Sequence, residues 1–155
     1  MRASEIMTKG IETVTAASAA DEAWALMRMK GIHHLVVKAG GEGGSKLVGL
    51  LSDRDLGGLD GDAFRRGRRV EDLMTRDVVM IDASAPVRKA ANLMRGRSIG
   101  CVVVTTGRRA VGIITIADLL ELVGRGLDHP PANTSRTALR HRAPHRKRHQ
   151  STGPW

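Results

Sequence analysis

Hydrophobic positions along this chain follow two periods, and they alternate twice. Ala23, Leu26 and Met27 stand at i, i+3, i+4, as do Ala90, Leu93 and Met94. That spacing makes one apolar helix face. Each set precedes a β-branched run, LVV at 35–37 and VVVTT at 102–106, and then a second apolar run, VGLLS at 48–52 and VGIIT at 111–115. The pattern predicts strand, helix, strand, turn, strand, helix in each half. Ser18 and Ser84 precede the first helices and are expected to cap their free N–H groups. Pro86 falls at the opening turn, where a missing N–H does little harm. Glycine-bearing turns, AGGEGGSK at 39–46 and TGRR at 106–109, join the paired strands. Gly49 and Gly112 lie inside the strands that follow. A missing side chain there admits another backbone or a ligand.

The two halves are copies of one plan. EIMTKGIETVTAASAADEAWALMRMKGIHHLVV (5–37) aligns without a gap to DLMTRDVVMIDASAPVRKAANLMRGRSIGCVVV (72–104). Met7-Thr8 matches Met74-Thr75, Leu26-Met27 matches Leu93-Met94, Ile32 matches Ile99, and Val36-Val37 match Val103-Val104. After a turn that differs by four residues, VGLLSDRDL (48–56) matches VGIITIADL (111–119). Both segments close on a hydroxyl and an Asp three residues apart, Ser52 with Asp55 and Thr115 with Asp118. Between the copies, GGLDGDAFRRGRR (57–69) reads as a polar linker with room for a short helical turn. Beyond Leu127, Pro-Pro, small polar residues and no periodic apolar face predict a disordered extension.

Composition narrows the class. With 155 residues the chain is one domain, or two small halves sharing a core. Phe64 is the only Phe, Trp24 and Trp155 are the only Trp, and Tyr is absent, so the core must be aliphatic. Cys101 is alone and predicts a reducing compartment. The start, MRASEIMTKG, has no apolar h-region, and no apolar run approaches the ~20 residues that span a bilayer. A cytoplasmic protein is expected. The net charge of +9 is unevenly spread. From His129 onward there are six Lys/Arg and no acid, while the other 19 Lys/Arg meet all 16 Asp/Glu, a balance of only +3.

The repeated pattern IMT…LM…GIHHLVV…VGLLSDRDL and DLMT…LM…SIGCVVV…VGIITIADL resembles tandem CBS domains, the cystathionine-β-synthase type of repeat. A pair of these forms a Bateman module, here a stand-alone one. The resemblance implies an α+β fold of two β-α-β-β-α repeats, residues 3–56 and 70–123, packed about a pseudo-twofold axis. Residues 57–69 are then the linker and 128–155 a basic tail. It also implies clefts that bind adenosine-containing ligands such as AMP, ADP, ATP or S-adenosylmethionine, and modules that pair into disc-like homodimers. The implied role is regulation of a protein partner, not catalysis.

Physical chemistry gives the hydroxyl–Asp pair a reason. A strand ending at Ser52 or Thr115 and turning straight into a helix places Asp55 or Asp118 in the first turn. Free N–H groups and the positive helix end favour an anion there. A carboxylate only accepts hydrogen bonds, which suits the adjacent donors of a ribose diol. The alternative is that both pairs are helix caps and nothing more. The resemblance implies that Ile32 and His33 face Thr115 and Asp118, that Ile99 and Gly100 face Ser52 and Asp55, and that Thr8 and Thr75 close the pockets. Ile32 and Ile99 suit the flat face of adenine and equally suit a core. Arg54, between the two acids of SDRD, suits a phosphate; TIAD has Ile116 and Ala117 instead. Val36 and Val103 stand where the family usually has proline.

Other candidates are weaker. His33-His34 lacks a second pair at metal-ligand spacing, so no metal is expected. Cys101, in an apolar strand, reads as a small buried residue. Asp53, Asp60 and Asp62 do not follow the order of a calcium loop and read as solvated linker acids. GGEGGSK lacks the G-K-[ST] ending of a phosphate loop. Asn133-Thr134-Ser135 spells a glycosylation sequon in a chain without an export signal. No nucleophile–base pair is evident, so an enzyme is not expected. Two further readings stand beside ligand sensing: a ligand-free dimerisation scaffold, and nucleic-acid binding through the basic tail.

Overall fold

The computed structural model describes residues 1–40 and 46–126. The centre of the first glycine-bearing turn and the basic extension, with the expectations attached to them, lie outside the described residues. The first half runs α1 (Ala3–Ile6), β1 (Thr8–Lys9), β2 (Thr13–Thr15), α2 (Ala20–Lys30), β3 (His34–Lys38) and β4 (Leu47–Ser52). A short linker helix, α3 (Asp62–Arg65), follows. The second half runs α4 (Val70–Leu73), β5 (Met80–Asp82), α5 (Val87–Arg97), β6 (Cys101–Thr106), β7 (Arg109–Thr115) and α6 (Ile116–Gly124).

Each half builds one sheet. In the first, β2 pairs parallel to β3 and β3 antiparallel to β4. In the second, β5 pairs parallel to β6 and β6 antiparallel to β7. Side chains alternate across the central strands. Leu35 and Val37 of β3 pack with Ala20, Ala23 and Met27 of α2. Val102 and Val104 of β6 pack with Ala90 and Met94 of α5. The intervening Val36, Cys101 and Val103 meet one another between the halves, with Ile113. Both faces of β3 and β6 are therefore covered, which explains why these runs are apolar without interruption.

The leading segments cross over. Ala3 and Ile6 of α1 pack into the second core, beside Ile81 and Val87, and Val70 of α4 packs into the first. Thr8 pairs with Ile113 on β7, and Thr75 bridges Leu50 on β4. Gly49 and Gly112 make this possible. A Cβ on Gly49 would lie 2.5 Å from the Met74 sulfur and 3.1 Å from the Thr75 carbonyl oxygen, and one on Gly112 would lie 2.5 Å from the Met7 sulfur. The strand glycines thus seat the Met of the opposite repeat's Met-Thr pair.

Two expectations need correction. The first helices are capped by Ala19 and Pro86, not by Ser18 and Ser84, and neither cap uses a side chain. Ser18 Oγ instead bonds Thr15 Oγ1 at 2.7 Å, and the Ser84 N–H donates to Asp82 Oδ1 at 2.8 Å. The hydroxyls are spent on the strand-to-helix turn before the helix begins. The second correction concerns the helix expected after Ser52. Residues 53–58 form a single turn: the Gly57 N–H donates to Arg54 O and the Gly58 N–H to Asp53 O, both at 3.0 Å. Gly57 has φ +81°, so this is a glycine-ended helical stop one turn after the start.

Candidate functional site

Between the halves lies a cavity of about 500 Å³. The ends of β4 and β7, the entries to β3 and β6, and the crossed leading segments all contribute to it. Its wall includes Thr8, Ile32, His33, Ser52, Arg54, Asp55, Thr75, Ile99, Gly100 and Thr115. Among the described residues, Asp118 is the candidate that lies outside the lining. Ile32 and Ile99 also pack against the first and second cores respectively, so each serves wall and core together. Within each half the strand entry and the hydroxyl strand are neighbours. The Asp53 N–H donates to His33 O at 3.0 Å, and the Ile116 N–H to Gly100 O at 3.1 Å. Across the divide, the Asp55 charge reaches Cys101, the residue after Gly100.

Both hydroxyl–Asp pairs close on themselves. Asp55 Oδ2 accepts from the Ser52 N–H at 2.8 Å, and the Asp55 N–H donates to Ser52 Oγ at 3.1 Å. Asp118 Oδ2 accepts from the Thr115 N–H and from Thr115 Oγ1, both at 2.7 Å, while the Asp118 N–H donates to Thr115 Oγ1 at 3.4 Å. These are reciprocal capping boxes. Capping and cavity lining coexist at Asp55. At Asp118 the box starts α6, Thr115 is buried, and Ile116 and Ala117 line the cavity in its place.

The segments after Thr8 and Thr75 were not anticipated as wall. Gly10, Ile11, Glu12, Asp77, Val78 and Val79 line the cavity. The gap-free register of Ile11 with Val78 was the available signal. Two acids here are held from helix ends: Lys30 meets Glu12 at 3.3 Å and Arg97 meets Asp77 at 3.6 Å, and Lys30 and Arg97 occupy matching places in the repeats. The linker reading of Asp53 and Asp62 also needs correction. Asp53 Oδ2 bonds His33 Nδ1 at 2.9 Å and lines the cavity, and Asp62 is paired with Arg65. His34 lines the cavity as well, half-buried. Burial, reinforced by the Asp55 charge, pushes the Cys101 thiol up to about 11, so it stays protonated at neutral pH. Among the described residues no group of three or more His, Cys, Asp or Glu is arranged to hold a metal, and no helix is long and apolar enough to cross a membrane.

Comparison with known proteins supplies the family context. The CBS domain model matches residues 3–56 and 70–125. The crystal structure of the CBS domain pair of protein MJ0100, in complex with 5'-methylthioadenosine and S-adenosyl-L-methionine, superposes with a TM-score of 0.69 at 28% identity, covering 81% of this chain and 97% of that one. A homoserine O-acetyltransferase of Methanohalobium evestigatum is 31% identical over 121 residues, 77% of this chain but only 24% of that protein. The chain therefore spans about a quarter of that relative's length. The uncharacterized protein YlbB of Bacillus subtilis is 29% identical over 117 residues, 74% of this chain and 77% of that protein.

Proposed function

Because the chain belongs to the CBS domain family, with two copies in tandem, we propose that it is a regulatory module that binds an adenosine-containing ligand in the cavity between its repeats. The carrying observation is Asp55, a residue of the cavity wall of whose carboxylate only Oδ2 takes part in the turn's hydrogen bonds. Oδ1 then accepts from a ribose diol, and a hydrogen bond to a charged group contributes about 1.5–3 kcal/mol. Ile32 and Ile99 offer apolar faces to the base, with Thr8, Thr75, His33, Gly100, Ser52 and Thr115 around it. Arg54, exposed at the wall, meets a phosphate or carboxylate on the ligand. Asp118, outside the lining, has no direct part, so one ligand per chain is expected. AMP, ADP, ATP and S-adenosylmethionine are the candidates. Binding of the last, and of 5'-methylthioadenosine, by a 28%-identical CBS pair supports the class. The output is a changed angle between repeats, or a changed homodimer, read by a protein partner.

A thermal-shift panel of these four with a guanine control tests the reading. A ligand at a hundredfold over its Kd adds about 2.7 kcal/mol of stability. Asp55→Ala should abolish the shift and Asp118→Ala should preserve it. No shift from any adenosine compound on the wild type would sink the proposal. A scaffold reading has one observation in its favour: Ile116, Leu120 and Val123 stand exposed on one side of α6 at i, i+4, i+7. It predicts a concentration-dependent homodimer without any nucleotide response. Nucleic-acid binding through the basic tail predicts polyanion affinity that truncation after Asp128 removes.

A further inference from the structure

The turn that carries Asp55 is poorly supported by its own neighbours. In the second repeat the matching residues open a nine-residue helix, whose ladder holds Asp118. In the first, the chain turns back through Gly57 and Gly58, both at positive φ, the residue type that resists distortion least. There is open space on both sides. Asp53 lines the 500 Å³ cavity and also a second one of about 340 Å³, whose wall includes Gly58.

Leu56 anchors this turn in the first core, and one side chain from the linker holds the rest of it. Arg65 is wholly buried. Its Nη1 donates to Leu56 O at 2.8 Å and to Gly58 O at 2.7 Å. Its Nη2 pairs with Asp62, its Nε makes no hydrogen bond but lies 3.6 Å from the Asp21 carboxylate, and its guanidinium lies 4.3 Å from the centroid of the Trp24 ring. A buried guanidinium is costly unless its donors are met. Here two of its bonds go to carbonyls that a longer helix would have used itself. The planar fork lets one group bind both carbonyls and stack on a ring, which an ammonium cannot do.

We infer that Arg65 is a positioning residue for the ligand site: without touching ligand, it fixes the 53–58 turn and so the Asp55 carboxylate. The inference rests on the adenosine-site reading above. By reciprocity, a ligand held by Asp55 tightens the Arg65 contacts and orders the linker, giving the cavity an outlet on the surface near α3.

The test uses the full chain with Arg65→Met and Arg65→Lys, the latter keeping charge and most of the volume in case the former fails to fold. Amide hydrogen exchange reads the turn without ligand. Isothermal titration with AMP, ADP, ATP and S-adenosylmethionine reads the site. Arg65→Met should speed exchange at Gly57 and Gly58 by about tenfold or more and weaken the binding ligand by about tenfold, equivalent to about 1.4 kcal/mol. Val103 in β6 should keep its protection, which a general loss of stability would not allow. Arg65→Lys should fall between. Unchanged exchange at Gly57 and Gly58 in either folded variant would overturn the clamp. Faster exchange with unchanged affinity would overturn its part in binding. If the wild type binds none of the four compounds, the reading of the site falls, and Arg65's part in binding with it, whatever the amides do.

Discussion

The same motif is solved differently at the ends of the two repeats. Ser52-x-x-Asp55 and Thr115-x-x-Asp118 make matching reciprocal bonds at the end of matching strands. After them, Leu56-Gly57-Gly58 stops the first at one turn, while Leu119-Leu120-Glu121 continues the second as α6. The stop leaves Asp55 on the cavity wall and hands support of the turn to a linker arginine. The continuation gives Asp118 to a helix and covers that side with Ile116 and Ala117. The lesson is that the setting of a hydroxyl–Asp pair is decided by the residues that follow it.

The sharpest way to break this comparison is at Leu56 and Leu119, which match in the repeat. Leu56 is wholly buried in the first core, whereas Leu119 is only partly buried against the second. Leu56→Ala should cost about 2–5 kcal/mol in urea unfolding, and Leu119→Ala clearly less. Equal losses would mean that the turn and the helix are packed alike. Next comes the crossing. Gly112→Ala drives a Cβ into Met7, at an expected cost of about 1–3 kcal/mol. Adding Met7→Ala should recover part of that loss, a non-additivity that a double-mutant cycle detects. Thr115→Ala removes the cap of a nine-residue helix and should cost about 1 kcal/mol. Ser52→Ala, capping a single turn, should cost less, measured as the difference in urea midpoint. The smallest effect is at Cys101, whose counterpart in the first repeat is His34. The folded thiol is raised from 9.0 to about 11, so the protonated form is favoured on folding. That stability is fully present below pH 9.0 and is lost as pH rises through about 11. Cys101→Ala should flatten that decline in a pH series of melting curves, on top of a pH-independent loss from removing a buried sulfur.

Much of this was readable in one dimension. The repeat register located both sheets, because residues at equal places in two copies bury the same faces: Leu35 with Val102, Val37 with Val104. It also selected the hydroxyl–Asp pairs and the isoleucines before β3 and β6. The crossed segments were not readable, since Thr8 and Ile113 lie far apart in sequence and no local propensity encodes their pairing. Gly57-Gly58 was a stop signal in plain view, outweighed by the symmetry with TIADL. Arg65 was missed for a simpler reason. A charged residue in a polar stretch reads as surface, and only Trp24 together with the Leu56 and Gly58 carbonyls makes a buried site for it. Asp53 escaped on the same grounds, because its partner His33 belongs to a different element.

The crossing of the leading segments has a consequence for how the chain is made. Thr8 leaves the ribosome well before its strand partner Ile113. At about 5–20 residues per second, Thr8 waits roughly 5–20 s for the strand it joins. The bridge from Thr75 to Leu50 needs no such wait, but until then α1 lacks a complete core to enter. The two copies, though separable on paper, reach their final form in one late closing step.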